Sequence, residues 1–239
     1  MTIRTWIAPL AVAAALGTAA AAADAQARRP AAAKAAAQRD WTRTVVATPQ
    51  GGFRMGNPNA PVKLVEYGSL TCPHCAAFSA AAKAPLAERV RTGKLSFEFR
   101  NMVLNAPDIA VSLLARCAPP QNFFRLADAI YATQPEWYGR IAAISDAQAA
   151  QLQALPDAQK FGRLVEIAGL GPLAARAGIP PQRATACLAS KPALDRLGKM
   201  YEAASAAGVH HTPTFFLNGK MVEADTWAEL QPLIAKAGG

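Results

Sequence analysis

The 239-residue sequence predicts an α/β protein, a mixed sheet of four or five strands interrupted by an all-helical domain. Three observations carry that prediction. An apolar run at residues 62–67 leads directly into Cys72-Pro73-His74-Cys75 and then into a segment with helical spacing. Residues 107–189 hold no strand pattern and are cut by prolines at 119, 120, 135, 156, 172, 180 and 181. Asn218-Gly219 stands between two short β-prone runs, which is a strong hairpin signal.

Taken from the start, Arg4 is followed by 19 residues without a charge, rich in alanine and ending in small residues at Ala23-Asp24-Ala25. That order predicts a signal peptide over residues 1–25, with cleavage after Ala25 or Ala23, and places the mature protein in the periplasm. An uncleaved anchor is the alternative, disfavoured because the run is short and dominated by alanine. Residues 26–43 are alanine-rich and basic without an apolar period, and read as a mobile tether or a short solvated helix. Residues 44–48 form a first strand closed by Pro49-Gln50-Gly51-Gly52, and residues 56–61 form a turn. Residues 62–67 are the second strand, and the cysteine pair opens a helix through Phe78 and Leu86. Residues 95–100 alternate with period two and make a third strand, parallel to the second across that helix. After the helical block, residues 191–207 read as one longer helix with Leu194, Leu197, Met200 and Tyr201 on a face and Gly208 as its stop. The hairpin strands occupy residues 214–217 and 220–223, and a last helix runs from Asp225 as N-cap to Ala237. Residues 44–106 and 190–239 thus make one domain into which 107–189 are inserted.

Hydrophobic residues at 52% and charged residues at 17% exclude a disordered or collagen-like chain. Lys and Arg number 25 against 16 acidic residues, a net charge of +9, yet they are scattered rather than clustered. The balance therefore describes a basic surface and not a nucleic-acid stripe.

Chemistry concentrates at Cys72 and Cys75. Two cysteines spaced this way at a helix start suit disulfide exchange: the first sulfur meets free backbone N–H groups at the positive end of the helix, and the second lies deeper. His74 is expected to favour the Cys72 thiolate further, and a stabilised thiolate makes the corresponding disulfide more oxidising. Such a pair could also be half of a zinc site, completed by Cys117, Cys187, His210 or His211. Zinc pairs sit on knuckle-like loops with a second close pair, which the 70-residue gap between Cys117 and Cys187 does not supply, so no metal is expected.

The run Glu66-Tyr67-Gly68-Ser69-Leu70-Thr71-Cys72-Pro73-His74-Cys75, with Thr212-Pro213-Thr214 ahead of Phe215-Phe216, closely resembles the DsbA family of periplasmic thiol-disulfide oxidoreductases over residues 44–239. The resemblance implies a thioredoxin fold with an inserted all-helical domain. It implies that Pro213 is a cis-proline facing the cysteines, that Thr212 presents its backbone to a substrate peptide, and that Glu66 is a buried acid serving the deeper thiol. His210 and His211 stand where the family has small residues or glycine, and are read as solvated loop residues, with electrostatic tuning of the disulfide as the alternative. Cys117 and Cys187 are then expected to form a structural disulfide, with a pair of buried thiols as the alternative. The implied activity is an exported, monomeric dithiol oxidase that passes its Cys72-Cys75 disulfide to reduced or newly exported proteins, with no cofactor besides that disulfide and a DsbB-like quinone-linked membrane oxidase to reoxidise it. A disulfide isomerase or reductase, and a peptide-binding chaperone, are the alternatives; the tether in place of an N-terminal dimerisation domain argues against the isomerase.

Overall fold

The computed structural model describes residues 1–2 and 39–239. The expected signal peptide and residues 26–38 of the expected tether lie outside the described residues, apart from residues 1 and 2. The last stretch assigned to the tether is structured instead. Trp41–Arg43 form a 3-10 turn capped by Asp40, whose carboxylate accepts the Thr42 N–H at 3.0 Å. The Trp41 ring closes over Gly93, where a Cβ would come within 2.8 Å of it.

Among the described residues the sheet has six strands, β1 (Val45–Ala47), β2 (Phe53–Gly56), β3 (Val62–Gly68), β4 (Leu95–Asn101), β5 (Thr214–Leu217) and β6 (Lys220–Val222), in the order β1-β2-β4-β3-β5-β6. β3 and β4 are parallel, joined by helix α1 (Pro73–Arg91), and every other pairing is antiparallel. The additional strand is β2, over residues 53–55, to which the sequence assigns no element, and Gly56, expected to open a turn. It is only four residues long and lies between glycines, so its period is too short to register. Gly56 ends it at φ 113°, a conformation that glycine tolerates, with the would-be Cβ only 3.0 Å from the Leu95 carbonyl.

Between β4 and β5 lie α2 (Ala106–Arg116), α3 (Phe123–Ala132), α4 (Gln134–Ala142), α5 (Asp146–Ala154), α6 (Asp157–Ala168), α7 (Gly171–Arg176), α8 (Pro181–Leu188) and α9 (Lys191–Ala206). α10 (Trp227–Lys236) follows β6. Its N-cap is Thr226, not Asp225. Thr226 Oγ1 accepts the Glu229 N–H at 3.3 Å, and the Glu229 carboxylate reaches back to the N–H groups of Thr226 and Asp225, a complete capping box. On α9, Leu197 and Met200 are buried as expected but Tyr201 is 44% exposed.

The strand period places Val62, Leu64 and Glu66 of β3 on one face, under α1 and α10, where Phe78, Leu86, Phe215, Leu230 and Ile234 complete one core. A second, larger core fills the helical block around Leu113, Phe123, Ile130, Trp137 and Leu164, and extends without a break to Leu70, Cys72 and Cys75. The junction between β3 and α1 is therefore packed by the thioredoxin-like part on one side and by the inserted helices on the other.

Candidate active site

Cys72 is the N-cap of α1 and Pro73 its first helical residue, where a missing N–H costs nothing and φ is already helical. The backbone turns so that the Cys75 N–H points at Cys72 Sγ at 3.5 Å, while the Cys72 thiol donates to the Thr212 carbonyl at 3.2 Å. Both cysteines are free. Cys72 is more covered than the sequence reading expected, at 6% exposure, against 0% for Cys75.

The two sulfurs differ sharply in acidity. The Cys75 thiol donates to the Cys72 thiolate, the Thr212 side chain and the N–H groups of Cys75 and His74 add to this, and together they overcome burial to bring Cys72 down to about 5. Cys75 moves the other way, well above an ordinary thiol, because of burial first, then its bond to Cys72 and the charge of Glu66. For His74 the contribution the structure shows is its backbone N–H; the imidazole itself is exposed.

Glu66 lies beneath the pair, 3% exposed, facing Phe99 of β4 and Phe215 of β5 in register, and its Oε1 has no hydrogen-bond partner. Burial, then the Cys72 and Asp128 charges, raise its carboxyl from 4.5 to about 8. It borders a cavity of about 150 Å³ walled by Phe78, Phe97, Phe99 and Tyr131, at which Lys83 and Asp128 pair at 3.0 Å. Gly68 keeps Glu66 there, since a Cβ would lie 2.8 Å from Oε1 and 2.5 Å from the Phe99 ring.

The Thr212-Pro213 bond is cis, and both residues are buried beside Cys72. Thr214 Oγ1 braces the turn by donating to the His211 carbonyl at 2.7 Å. His210 is exposed; His211 is exposed too but pairs with Asp225 at 3.2 Å. Cys117, the C-cap of α2, is bonded to Cys187 in α8 across 70 residues, with Cα atoms 6.0 Å apart. The residues that would complete a zinc site thus do not converge on the cysteine pair, and among the described residues no three His, Cys, Asp or Glu cluster in a way that could hold a metal.

Sequence reasoning missed the residues that hold the loop leading into Cys72. Tyr131 of α3 donates its hydroxyl to the Ser69 carbonyl at 3.1 Å, and Gln134 of α4 donates Nε2 to the carbonyls of Leu70 and Cys72 at 3.0 and 3.1 Å. Asp108 of α2 accepts the Leu70 N–H at 3.0 Å, and Asn105 donates to Thr71 Oγ1 at 3.3 Å. Asp108 is fully buried, which raises its carboxyl to about 6 against the hydrogen bonds from Ser69, Leu104, Leu70 and Ser112. A buried polar residue on an apolar helix face is the only sequence trace such groups leave.

A dithiol at the end of a central parallel strand, opening a helix and facing a cis-proline turn, defines a thioredoxin-fold protein, here with inserted helices. The family model described as thioredoxin matches residues 48–236, and the chain belongs to the thioredoxin family. It is 28% identical over 187 residues to a provisionally named protein-disulfide oxidoreductase of Rickettsia prowazekii, covering 77% of this chain and 60% of that protein. Relatives from Rickettsia are longer, and the chain spans about three fifths of the first two, 60% and 63%. Among solved structures it is similar to a protein-disulfide isomerase from Novosphingobium aromaticivorans, with 29% identity, a TM-score of 0.72, and 78% of this chain and 97% of that one covered. It shares its fold with α-DsbA1 of Wolbachia pipientis, with a TM-score of 0.63 at 21% identity, covering 80% of this chain and 92% of that one.

Proposed function

We propose that this chain is an exported thiol-disulfide oxidoreductase that works in the periplasm as a monomer and donates its Cys72-Cys75 disulfide to reduced, newly translocated proteins. The observation that carries the reading is the pair of free sulfurs at one helix start beside the cis Thr212-Pro213 bond, Cys72 at the N-cap with the Cys75 N–H aimed at its Sγ and Cys75 fully buried; that arrangement lowers Cys72 to about 5 and raises Cys75 well above an ordinary thiol. A substrate thiolate attacks Cys72 Sγ, the bond to Cys75 breaks, and Cys75 leaves with the electron pair and takes up a proton. Glu66, holding its proton up to about pH 8, stands beneath Cys75 to supply it. A second substrate thiolate then attacks the substrate sulfur of the mixed disulfide. Cys72 departs as a stabilised thiolate, so that two substrate thiols have become a disulfide and the Cys72-Cys75 disulfide has become a dithiol. Thr212, whose carbonyl already meets Cys72, would pair with the substrate backbone beside Pro213.

No cofactor is required beyond the disulfide, nucleic acid has no part, and reoxidation falls to a DsbB-like, quinone-linked membrane oxidase. Among the described residues no helix is long and apolar enough to cross a membrane. A second reading, disulfide isomerisation, is favoured by the likeness to the protein-disulfide isomerase of Novosphingobium. Incubating the oxidised protein with a reduced two-cysteine peptide decides between them. One peptide disulfide formed per protein supports the oxidase; rearrangement of a scrambled substrate without net oxidation supports the isomerase, and neither product would leave a binding role such as a chaperone's.

A further inference from the structure

Three inserted helices reach the loop that carries Cys72, and besides the apolar packing they do so with buried polar side chains. Asp108, Tyr131 and Gln134 are 0%, 6% and 6% exposed, and between them they bond the backbone of Ser69, Leu70 and Cys72. Gln134 is placed differently from the other two. Its Nε2 donates to the Leu70 carbonyl and also to that of Cys72, which at the same time accepts the Ala76 N–H at 3.2 Å as the first bond of α1. One amide group thereby ties the Leu70–Thr71 peptide of the loop and the Cys72–Pro73 peptide that opens the helix to α4.

We infer that Gln134 is a positioning residue for Cys72, with Tyr131 as its auxiliary, so that the helical insertion sets how well the thiolate is stabilised. The physical reason is a difference between the two redox states. The thiolate depends on the N–H groups of Cys75 and His74 and the Cys75 thiol converging on one sulfur, and such convergence has value only while the peptides are held in place. In the disulfide, the Cys72 sulfur is neutral and needs those donors far less. Removing Gln134 leaves two buried carbonyls without that donor in either state, a cost common to both that cancels from the redox equilibrium. The lost alignment does not cancel. It weakens the reduced form alone, so the Cys72 thiol becomes less acidic and the disulfide less oxidising.

The inference rests on the exchange chemistry proposed above, and the test keeps the two apart. Gln134→Met preserves length and removes the donor; Tyr131→Phe preserves the ring and removes one hydroxyl. In each full-length variant the Cys72 thiolate is titrated by its ultraviolet absorbance and the Cys72-Cys75 pair is equilibrated with glutathione. Gln134→Met is expected to titrate higher by about half a pH unit or more, and to shift the glutathione equilibrium about threefold toward the disulfide. Tyr131→Phe should move both in the same direction by a smaller factor, which keeps the test decisive if Gln134→Met does not fold. Folded variants whose titration and equilibrium match the parent would overturn the positioning role even if stability falls. A parent protein that exchanges no disulfide with glutathione would instead refute the oxidoreductase reading beneath it.

Discussion

Replacing Glu66 with leucine should stabilise this protein, and by an amount that depends on pH. In the folded chain the carboxyl is raised from 4.5 to about 8 by burial first and then by the Cys72 and Asp128 charges, while in the unfolded chain water restores the ordinary value. Below pH 4.5 both states are protonated and the residue carries no ionisation cost. Between 4.5 and about 8 the unfolded chain loses the proton and the folded chain keeps it, so stability falls with rising pH. The gap amounts to about 3 kcal/mol at pH 7 and about 5 kcal/mol above pH 8. Leucine has no such cost, and the Phe78, Phe97 and Phe99 side chains around Glu66 offer it an apolar setting. The assay is urea denaturation of oxidised parent and Glu66→Leu protein at pH 4, 7 and 8.5. Oxidation removes the Cys72 charge and trims the gap, but burial, the largest cause, remains. Stability curves that diverge upward with pH are expected, together with a roughly tenfold or greater slowing of mixed-disulfide turnover at neutral pH. A difference in stability that is the same at all three pH values, or a variant less stable at pH 8.5, would refute the assignment of Glu66 as a buried, proton-holding acid.

Three further outcomes follow from the same geometry. Cys72→Ser should abolish both peptide oxidation and exchange with oxidised glutathione, whereas in Cys75→Ser the Cys72 thiolate should attack oxidised glutathione, release one glutathione thiolate and keep the other half as a mixed disulfide that accumulates as a mass adduct under non-reducing conditions; an adduct formed through Cys75 in the Cys72→Ser protein, with none through Cys72 in Cys75→Ser, would reverse the roles. Mild dithiol should open Cys72-Cys75 while Cys117-Cys187 stays closed, as peptide mapping will report. Replacing both residues of the latter bridge should cost about 4 kcal/mol for its 70-residue separation on the chain-entropy estimate, with peptide oxidation nearly intact.

The elements that were legible in the sequence are those whose signal is local. The β3-to-α1 junction announces itself in a strand run that stops at two cysteines, and the β5-β6 hairpin in Asn218-Gly219, where Asn218 has φ 51°. The α10 start was legible too, since Thr226 and Glu229 have capping-box spacing, yet the neighbouring Asp225 drew the assignment. β2 was not legible, because four residues between glycines carry no period and its pairing with β4 brings together Phe53 and Phe99, which are far apart in the chain. The site divides in the same way. Cys72, Cys75 and Pro213 stand in recognisable motifs, and Glu66 follows from its place ahead of them. Asp108, Tyr131 and Gln134 lie 38, 62 and 64 residues from the atoms they bond, in helices whose sequences give no reason to point there. Long-range polar contacts of this kind are set by tertiary packing, and only the fold reveals them.

If the protein stabilises the Cys72 thiolate as proposed, it thereby holds Cys72-Cys75 as an oxidising disulfide. Equilibrating that pair with graded ratios of reduced and oxidised glutathione, read by trapping free thiols at Cys72 and Cys75, measures it directly. A potential above about −180 mV is expected, in the range of couples that give their disulfide away. A potential near about −270 mV, that of a reductant, would contradict it.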